Sequence, residues 1–407
     1  MKQNSIKVGS DFSGVGAFDQ ALKMLGIDYE TVFACDMDKY ARQTYIHNYG
    51  EPAYYPTNVY DREIPSQSLD IYMTSPPCQA FSLAGKRLGK EDNRGILFFN
   101  SHEFIQENKP RFFIFENVKG LLSDDNGKTF QEWINMLGGK SVNGLPVLFP
   151  YEDSVPYHIY WKVLNAKDYN IPQNRERVFI VGIRDDSDNI FSWPAEQPLT
   201  RKLKDCLESK VDEKYFLSEK LTHTLMHTSS GKDGCFKPAE CKDENGIANA
   251  LTARMAKMGR GDNYLKIKSA TKKGYELATE NDSINFSVPN SETRRGRVGK
   301  EVAQTLDTAC NQGVCVPVLT PDRANKRQNG RRFKEDGDEM FTITTQDRHG
   351  IYNGYRIRRL TPRECFNLMD FPQSFSWPVS DSQAYKQAGN SICVGVLAGI
   401  IKGLKRL

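Results

Sequence analysis

The stretch Leu69-Asp70-Ile71-Tyr72-Met73-Thr74-Ser75-Pro76-Pro77-Cys78-Gln79-Ala80-Phe81-Ser82 decides how this chain reads. Residues 69–73 form a short apolar run of the kind that becomes a buried strand. Two prolines then stop the strand, because proline has no N–H to donate and a fixed φ. A single thiol follows at the strand end, where open α/β sheets build their sites. The loop beyond carries Gly85, Lys86, Arg87, Lys90 and Arg94. Such surroundings expose a cysteine and favour its thiolate, the two conditions a nucleophile needs. For a Pro-Cys pair taken alone, a buried structural cysteine is the plainer reading, and the rest of the chain has to decide.

Outward from this stretch, apolar runs alternate with helical patterns. Strands are expected at residues 5–8, 31–35, 69–73, 112–115 and 178–183, and helices at 17–25, 39–48, 97–108 and 129–137. This alternation predicts an α/β fold, a parallel sheet with helices on both faces, over residues 1–184. Residues 138–157, rich in Gly and Pro, read as a surface loop. Residues 185–355 are polar and show a weak repeat: Ala250-Leu251-Thr252-Ala253, Gln304-Thr305-Leu306-Asp307-Thr308 and Phe341-Thr342-Ile343-Thr344-Thr345. Gly-containing turns and short apolar runs follow each copy, which predicts a smaller, irregular β-rich domain inserted here. From residue 356 helical periodicity returns. Thr361 suits an N-cap, Pro362 the first helical position and Glu364 a capping box. Residues 391–404 read as a buried helix, so 356–407 is expected to return to the first domain.

At 407 residues the chain is long enough for two domains, and its 26% charged and 39% hydrophobic residues are ordinary for a globular protein. No apolar run approaches the length of a membrane span, and residues 1–10 lack a signal-peptide core, so a cytoplasmic location is expected. The nine cysteines are scattered without a Cys-x-x-Cys, which points to free thiols. The pairs Cys235/Cys241 and Cys310/Cys315 have poor zinc spacing, and no metal is expected. Net charge is +4, unevenly spread: residues 1–100 hold 10 Lys/Arg against 12 Asp/Glu, and residues 251–300 hold 11 against 5. A basic region beside a neutral one suits a polyanion partner, and equally a lysine-rich solvated face.

Asp11-Phe12-Ser13-Gly14-Val15-Gly16 follows the first strand and opens a helix, as in nucleotide and adenosyl binders. The second strand ends at Cys35-Asp36-Met37-Asp38, where an acidic residue commonly holds ribose hydroxyls. The dinucleotide pattern lacks its third glycine, which favours S-adenosylmethionine over NAD. Glu116-Asn117-Val118 ends another buried run and brings a carboxylate to a second strand top. In Gln173-x-Arg175-x-Arg177, alternate residues of an extended segment share a face.

Together and in order, these pieces resemble the cytosine-5 DNA methyltransferases of bacterial and phage type. The signatures are Phe12-x-Gly14-x-Gly16, Pro77-Cys78-Gln79, Glu116-Asn117-Val118, Gln173-x-Arg175-x-Arg177, Arg359-Leu360-Thr361-Pro362-Arg363-Glu364-Cys365 and Gln387-x-Gly389-Asn390-Ser391. The resemblance covers residues 8–184 and 356–404, and implies a Rossmann-like S-adenosylmethionine-dependent fold with a target-recognition domain at 185–355. It implies that Cys78 adds to C6 of a cytosine flipped out of duplex DNA, that Glu116 contacts N3 with a raised pKa, and that the Pro76 carbonyl receives the amino group. Arg175 would contact the base O2 and the nucleotide backbone, Arg177 a phosphate and the loop, and Gln173 would orient the arginines. Residues 80–97 would form the closing loop, with Ser82 and Lys86 on phosphates.

For S-adenosyl-L-methionine the resemblance points to Phe12, Gly14, Gly16, Phe18, Asp36, Met37, Asn58, Val59, Pro77, Leu97, Asn390 and Ser391. Two positions depart from the family. Ser10 stands where members often carry Asp, with Asp11 beside it as the candidate for the methionine amino group, and Asn58 stands where Asp is usual. In the insert, Arg254, Lys257, Arg260, Gln312, Gln346 and Arg348 are the candidate DNA contacts. The expected partner is double-stranded DNA, with a cognate restriction endonuclease as a functional companion and a monomeric enzyme. A transfer-RNA methyltransferase is the first alternative, because its relatives share Ser-Pro-Pro-Cys-Gln. Those relatives also carry Cys-Phe-Thr in the second domain, and here only Cys365-Phe366-Asn367 occurs. A binding module that has lost catalysis is the second, and Cys78, Glu116 and Arg175 all being present speaks against it.

Overall fold

The computed structural model describes residues 5–77, 96–216, 265–279, 281–288, 291, 293–309, 311–318 and 354–404. They divide into two compact units, one of residues 1–207, 305–310 and 362–407, the other of 208–304 and 311–361.

The first unit is built on an eight-stranded sheet. Its strands are β1 (Ile6–Asp11), β2 (Tyr29–Cys35), β3 (Ile71–Thr74), β4 (Phe112–Val118), β5 (Ser141–Val142), β6 (Leu145–Pro146), β7 (Tyr157–Asn165) and β9 (Glu176–Arg184), in the order β2-β1-β3-β4-β9-β7-β5-β6. The two-residue β8 (Gln173–Asn174) lies outside it. β1 to β4 run parallel to one another, as their helical crossovers require. The helices are α1 (Ala17–Met24), α2 (Lys39–Tyr49), α3 (Ile96–Asn108) and α4 (Lys128–Leu137).

The expected parallel sheet is found in β1 to β4 and is corrected at β9, which runs antiparallel to both β4 and β7. The short connection from β7 to β9 has no room for a crossover helix, so the two strands pair as neighbours from Tyr157↔Arg184 to Asn165↔Glu176. β7 itself was not expected. Within the stretch read as loop, β5 and β6 form a small hairpin, and Leu148 and Phe149 nearby stand exposed.

Phe33, Tyr72, Phe98, Phe104, Phe113, Phe115 and Trp133 form much of one apolar cluster shared by the sheet, α3 and α4. Phe98 and Trp133 stack with ring centroids 4.1 Å apart.

The first unit continues past residue 184. Phe191 bridges to Leu404, and the Asn367 amide donates to the Cys206 carbonyl at 3.0 Å. The returning helices α5 (Pro362–Leu368), α6 (Asp381–Asn390) and α7 (Val394–Gly403) belong to the same unit.

In the second unit, β10 (Leu265–Lys268) and β11 (Tyr275–Ala278) pair antiparallel. A four-stranded antiparallel sheet has the order β13-β12-β15-β16, from β12 (Ser283–Asn285), β13 (Val298–Gly299), β15 (Gln312–Val318) and β16 (Gly354–Arg359); β14 (Ala303–Gln304) precedes β15. This unit organises an irregular loop around the buried Arg297. Its guanidinium donates to the carbonyls of Asn285, Ser287 and Val288 at 3.1, 3.2 and 2.8 Å. Among the described residues no helix is long and apolar enough to cross a membrane.

Candidate active site

The glycine loop leaves β1 at Asp11 and turns through positive φ at Phe12 (57°), Gly14 (55°) and Gly16 (84°). Only glycine suits Gly16, since a Cβ there would lie 2.3 Å from the Tyr49 ring. A Cβ on Gly14 would instead project into open space, with nothing nearer than the Phe12 carbonyl oxygen at 4.0 Å. Asp36 holds the loop: Oδ2 accepts from Gly14 N at 2.7 Å, and Oδ1 accepts from Asp38 N at 2.8 Å. Burial raises the Asp36 pKa, and those two N–H groups oppose the rise. Met37 beside it is 85% exposed.

Phe18 is buried in α1, Val59 is buried in the core, and Leu97 packs against that core. Asn58 is half-buried, with its Oδ1 already accepting from Tyr60 N at 3.0 Å.

Asp11 departs from the expected role at the methionine amino group. Its carboxylate is 1% exposed and turned inward, 3.0 Å from Arg62 Nε, and accepts from Tyr72 Oη at 2.6 Å. Ser10 is buried as well.

β3 and β4 run parallel with Thr74 opposite Phe115, so the prolines after β3 emerge beside Glu116 and Asn117. Asn117 Nδ2 donates to the Pro76 carbonyl at 3.2 Å and Asn117 Oδ1 accepts from Val118 N at 2.8 Å. Pro77 is exposed. Cys78, Ser82 and Lys86 lie outside the described residues.

Glu116 is 8% exposed, with Oε1 3.1 Å from Arg177 Nε. Burial lifts its pKa above the usual carboxylate range, against the pull of Arg177 and Arg175. Arg177 also donates to the Glu176 carbonyl at 2.7 Å.

Arg175 is buried and ties distant segments together. It donates to the carbonyls of Ser391 (2.7 Å), Gly389 (3.1 Å) and Leu306 (3.4 Å). Burial, with Arg177 nearby, brings its pKa down to about 10. The Gln173 amide donates to the Leu368 carbonyl at 2.8 Å and accepts from Leu306 N at 3.3 Å, so its side chain binds main chain rather than either guanidinium. Asn390 is exposed and Ser391 buried at the end of α6. That helix is tied to α2 by Thr44 donating to Gln387 at 3.0 Å and by the Lys386–Asp38 pair. A narrow recess adjoins the two arginines, with Cys393 and Ile392 in its wall.

Two contributors escaped the sequence reading. Residues 305–310, expected in the inserted domain, belong to the first unit, where the Thr305 hydroxyl donates to the Asn174 carbonyl at 2.8 Å. The repeat around Thr305-Leu306-Asp307 was the visible signal, but nothing local to it shows where it docks. Arg62, in an irregular stretch, gave no motif signal at all.

Gln312, expected near base edges, is 1% exposed; its Oε1 accepts from Gln304 N at 2.8 Å and its Nε2 donates to Gln304 O at 2.9 Å. Its amide is thus held inside the second unit. Arg254, Lys257, Arg260, Gln346 and Arg348 lie outside the described residues.

The profile of a family described as C-5 cytosine-specific DNA methylase matches residues 6–406. The chain is 37% identical to the orphan methyltransferase M.SPRI of Bacillus phage SPR, over 98% of this chain and 97% of that one. It is 31% identical to the type II methyltransferase M.HpaII of Haemophilus parainfluenzae, over 94% and 84%. Among solved structures it resembles the Dnmt2 methyltransferase of S. pombe (TM-score 0.54, 17% identity, 98% and 97% covered). It also resembles the Entamoeba histolytica methyltransferase EhMeth (TM-score 0.57, 16% identity, 99% and 98% covered).

Proposed function

The chain belongs to the C-5 cytosine-specific DNA methylase family, and from that premise we propose how its residues divide the chemistry. It is an S-adenosylmethionine-dependent DNA (cytosine-5-)-methyltransferase.

The residues around the glycine loop fit the cofactor. The space that a Cβ on Gly14 would fill is free. Each Asp36 oxygen accepts one main-chain N–H and keeps a second lone-pair direction for a ribose hydroxyl. Met37 offers an exposed apolar thioether for adenine. Phe12, Gly14, Gly16 and Asp36 would hold the cofactor, with Met37, Leu97, Asn390 and Ser391 around it. Bound there, S-adenosylmethionine supplies the methyl group.

C5 of cytosine is a weak nucleophile. The Cys78 thiolate adds to C6 and pushes electron density onto C5, which makes it enamine-like. Glu116 shares a proton with N3 and so neutralises the charge that builds on the ring. After C5 is methylated, a base takes the C5 proton, the C6–S bond breaks, and Cys78 leaves as thiolate. The ring edge is unreachable inside a duplex, so the cytosine is flipped out first.

One observation carries this reading. Glu116, buried with a raised pKa beside Arg177, sits next to Asn117, which is hydrogen-bonded to the carbonyl two residues before Cys78. That bond holds Pro76 beside the residue that follows Glu116, which supports a shared site for the carboxyl group and the thiol. Arg175 keeps the motif ending at Ser391 in place and would meet the nucleotide from there.

The second unit would read the target sequence. The support is the excess of 11 Lys/Arg over 5 Asp/Glu in residues 251–300, a match for phosphate contacts. A cognate endonuclease and a monomeric state are parts of the same proposal.

A duplex with 5-fluorocytosine at the target position tests the mechanism, because no proton can then leave C5. The parent protein should form a covalent complex stable to denaturing electrophoresis. Cys78→Ser should form none, and should bind DNA and cofactor without turnover. Ordinary methyl transfer by Cys78→Ser would sink the mechanism.

A further inference from the structure

The irregular chain between α2 and β3 supplies one wall of the proposed cofactor site, and it has neither helix nor strand to fix its place. Main-chain bonds hold it early, from Ala34 N to Tyr54 O at 3.1 Å and from Asp36 N to Pro56 O at 3.3 Å. Arg42 stacks on Tyr55 at 3.8 Å and donates to the Pro56 carbonyl at 2.9 Å. The Tyr55 hydroxyl lies 3.4 Å from the Ser13 hydroxyl of the glycine loop. Asn58 and the buried Val59 follow.

The far end of this wall is held by an ion pair. Arg62, 8% exposed, reaches the carboxylate of Asp11 at 3.0 Å and lies 4.6 Å from the Phe104 ring. Asp11 is the last residue of β1, one step before Phe12 turns to positive φ. Tyr72 of β3 completes the arrangement with its 2.6 Å hydrogen bond.

Such a pair is a poor source of net stability, because removing two charges from water offsets most of their attraction. What it supplies is register. Any slip of residues 54–63 along the sheet would leave a buried charge without its partner. An apolar pair could slide at little cost, and a charged one cannot.

We propose that the buried Asp11–Arg62 pair is a positioning clamp that fixes residues 54–63 against the glycine loop and thereby sets the affinity for S-adenosylmethionine. Both residues act through the loop and the wall, and neither touches the reacting atoms. The inference rests on the proposed cofactor site.

The test uses the full chain with Asp11→Leu, Arg62→Met, the double variant and Tyr72→Phe. Cofactor affinity is measured by equilibrium dialysis, stability by urea unfolding, and kcat at saturating cofactor alongside. Each charged single variant should lose stability, since it strands the other charge. The double variant should regain that stability, yet bind S-adenosylmethionine about ten-fold or more weakly. Its kcat at saturating cofactor and its KM for DNA should stay within about two-fold of the parent.

Tyr72→Phe keeps both charges and the ring. It should weaken cofactor binding by about three-fold without unfolding the protein, and it decides the matter if the double variant fails to fold. Parental cofactor affinity in the folded double variant, or in Tyr72→Phe, would overturn the clamp. Asp36→Ala separates the underlying site: parental affinity there would refute the site itself, whatever the clamp variants do.

Discussion

At Glu116 two physical effects oppose each other. Burial favours the neutral acid, while Arg177 at 3.1 Å and Arg175 favour the carboxylate, and burial prevails. The folded-state pKa therefore lies above the ordinary value, and the protonated form persists to higher pH. If that proton is shared with N3, kcat should fall as pH rises through the raised pKa. Glu116→Gln cannot move a proton and should lose about 10²- to 10⁴-fold in kcat, together with the basic limb of the pH–rate profile. A Gln variant with the parental rate and profile would remove Glu116 from the chemistry. The same balance affects folding. The neutral Glu116 contributes stability fully present below the unfolded-state pKa, and it is lost as pH rises through the folded-state value.

On α6, Gly389 packs directly on the main chain of residues 307–308. A Cβ there would lie 2.6 Å from the Asp307 carbonyl carbon and oxygen, and backbone atoms cannot swing aside. On α7, a Cβ at Gly399 would come 3.0 Å from Pro194 Cβ, where a small shift of one side chain suffices. Gly389→Ala should therefore cost about 1–3 kcal/mol in urea unfolding, and Gly399→Ala clearly less. The first variant should also slow turnover, because residues 305–310 and Gly389 supply carbonyls to Arg175. Equal stability and equal kcat in the two variants would show that docking of residues 305–310 on α6 has no consequence. The docking also accounts for a glycine that local propensity would disfavour inside a helix.

For the molecule as a whole, DNA affinity should fall steeply with salt, the slope measuring the phosphates neutralised. Alanine at Arg254, Lys257, Arg260, Gln346 or Arg348 should act in one of two ways. Loss of a phosphate contact weakens all sequences alike and lowers the salt slope by about one. Loss of a base contact costs about 1–3 kcal/mol and relaxes one position of the methylated site. Gln312→Ala should instead destabilise the second unit, because its amide bridges the main chain of Gln304. Binding across a salt series and bisulfite sequencing of modified DNA check both. If all five variants kept parental affinity and methylated the same sites, the second unit would not be the reader.

The strands β1 to β4 and helices α1 to α4 follow from periodicity and turn residues, so they were legible from the sequence. So was the position of Asp36 just past the end of β2, whereas Glu116 lies inside β4, which runs on to Val118. The raised pKa of Glu116 was expected from its chemistry, and its burial supplies the cause. The antiparallel β9 was hidden, because a strand's direction depends on the partner it meets and its own residues are the same either way. The inward turn of Asp11 was hidden too. Its partners, Arg62 and Tyr72, are 51 and 61 residues away and carry no shared pattern. The placement of residues 305–310 depends on Gly389 and on the Gln173–Arg175 stretch, which lie more than two hundred residues apart. The sequence by itself determined the elements and the chemistry-bearing residue types, since those depend on neighbours along the chain. Only the tertiary structure decided which buried charge meets which, because desolvated groups choose their partners by proximity in space.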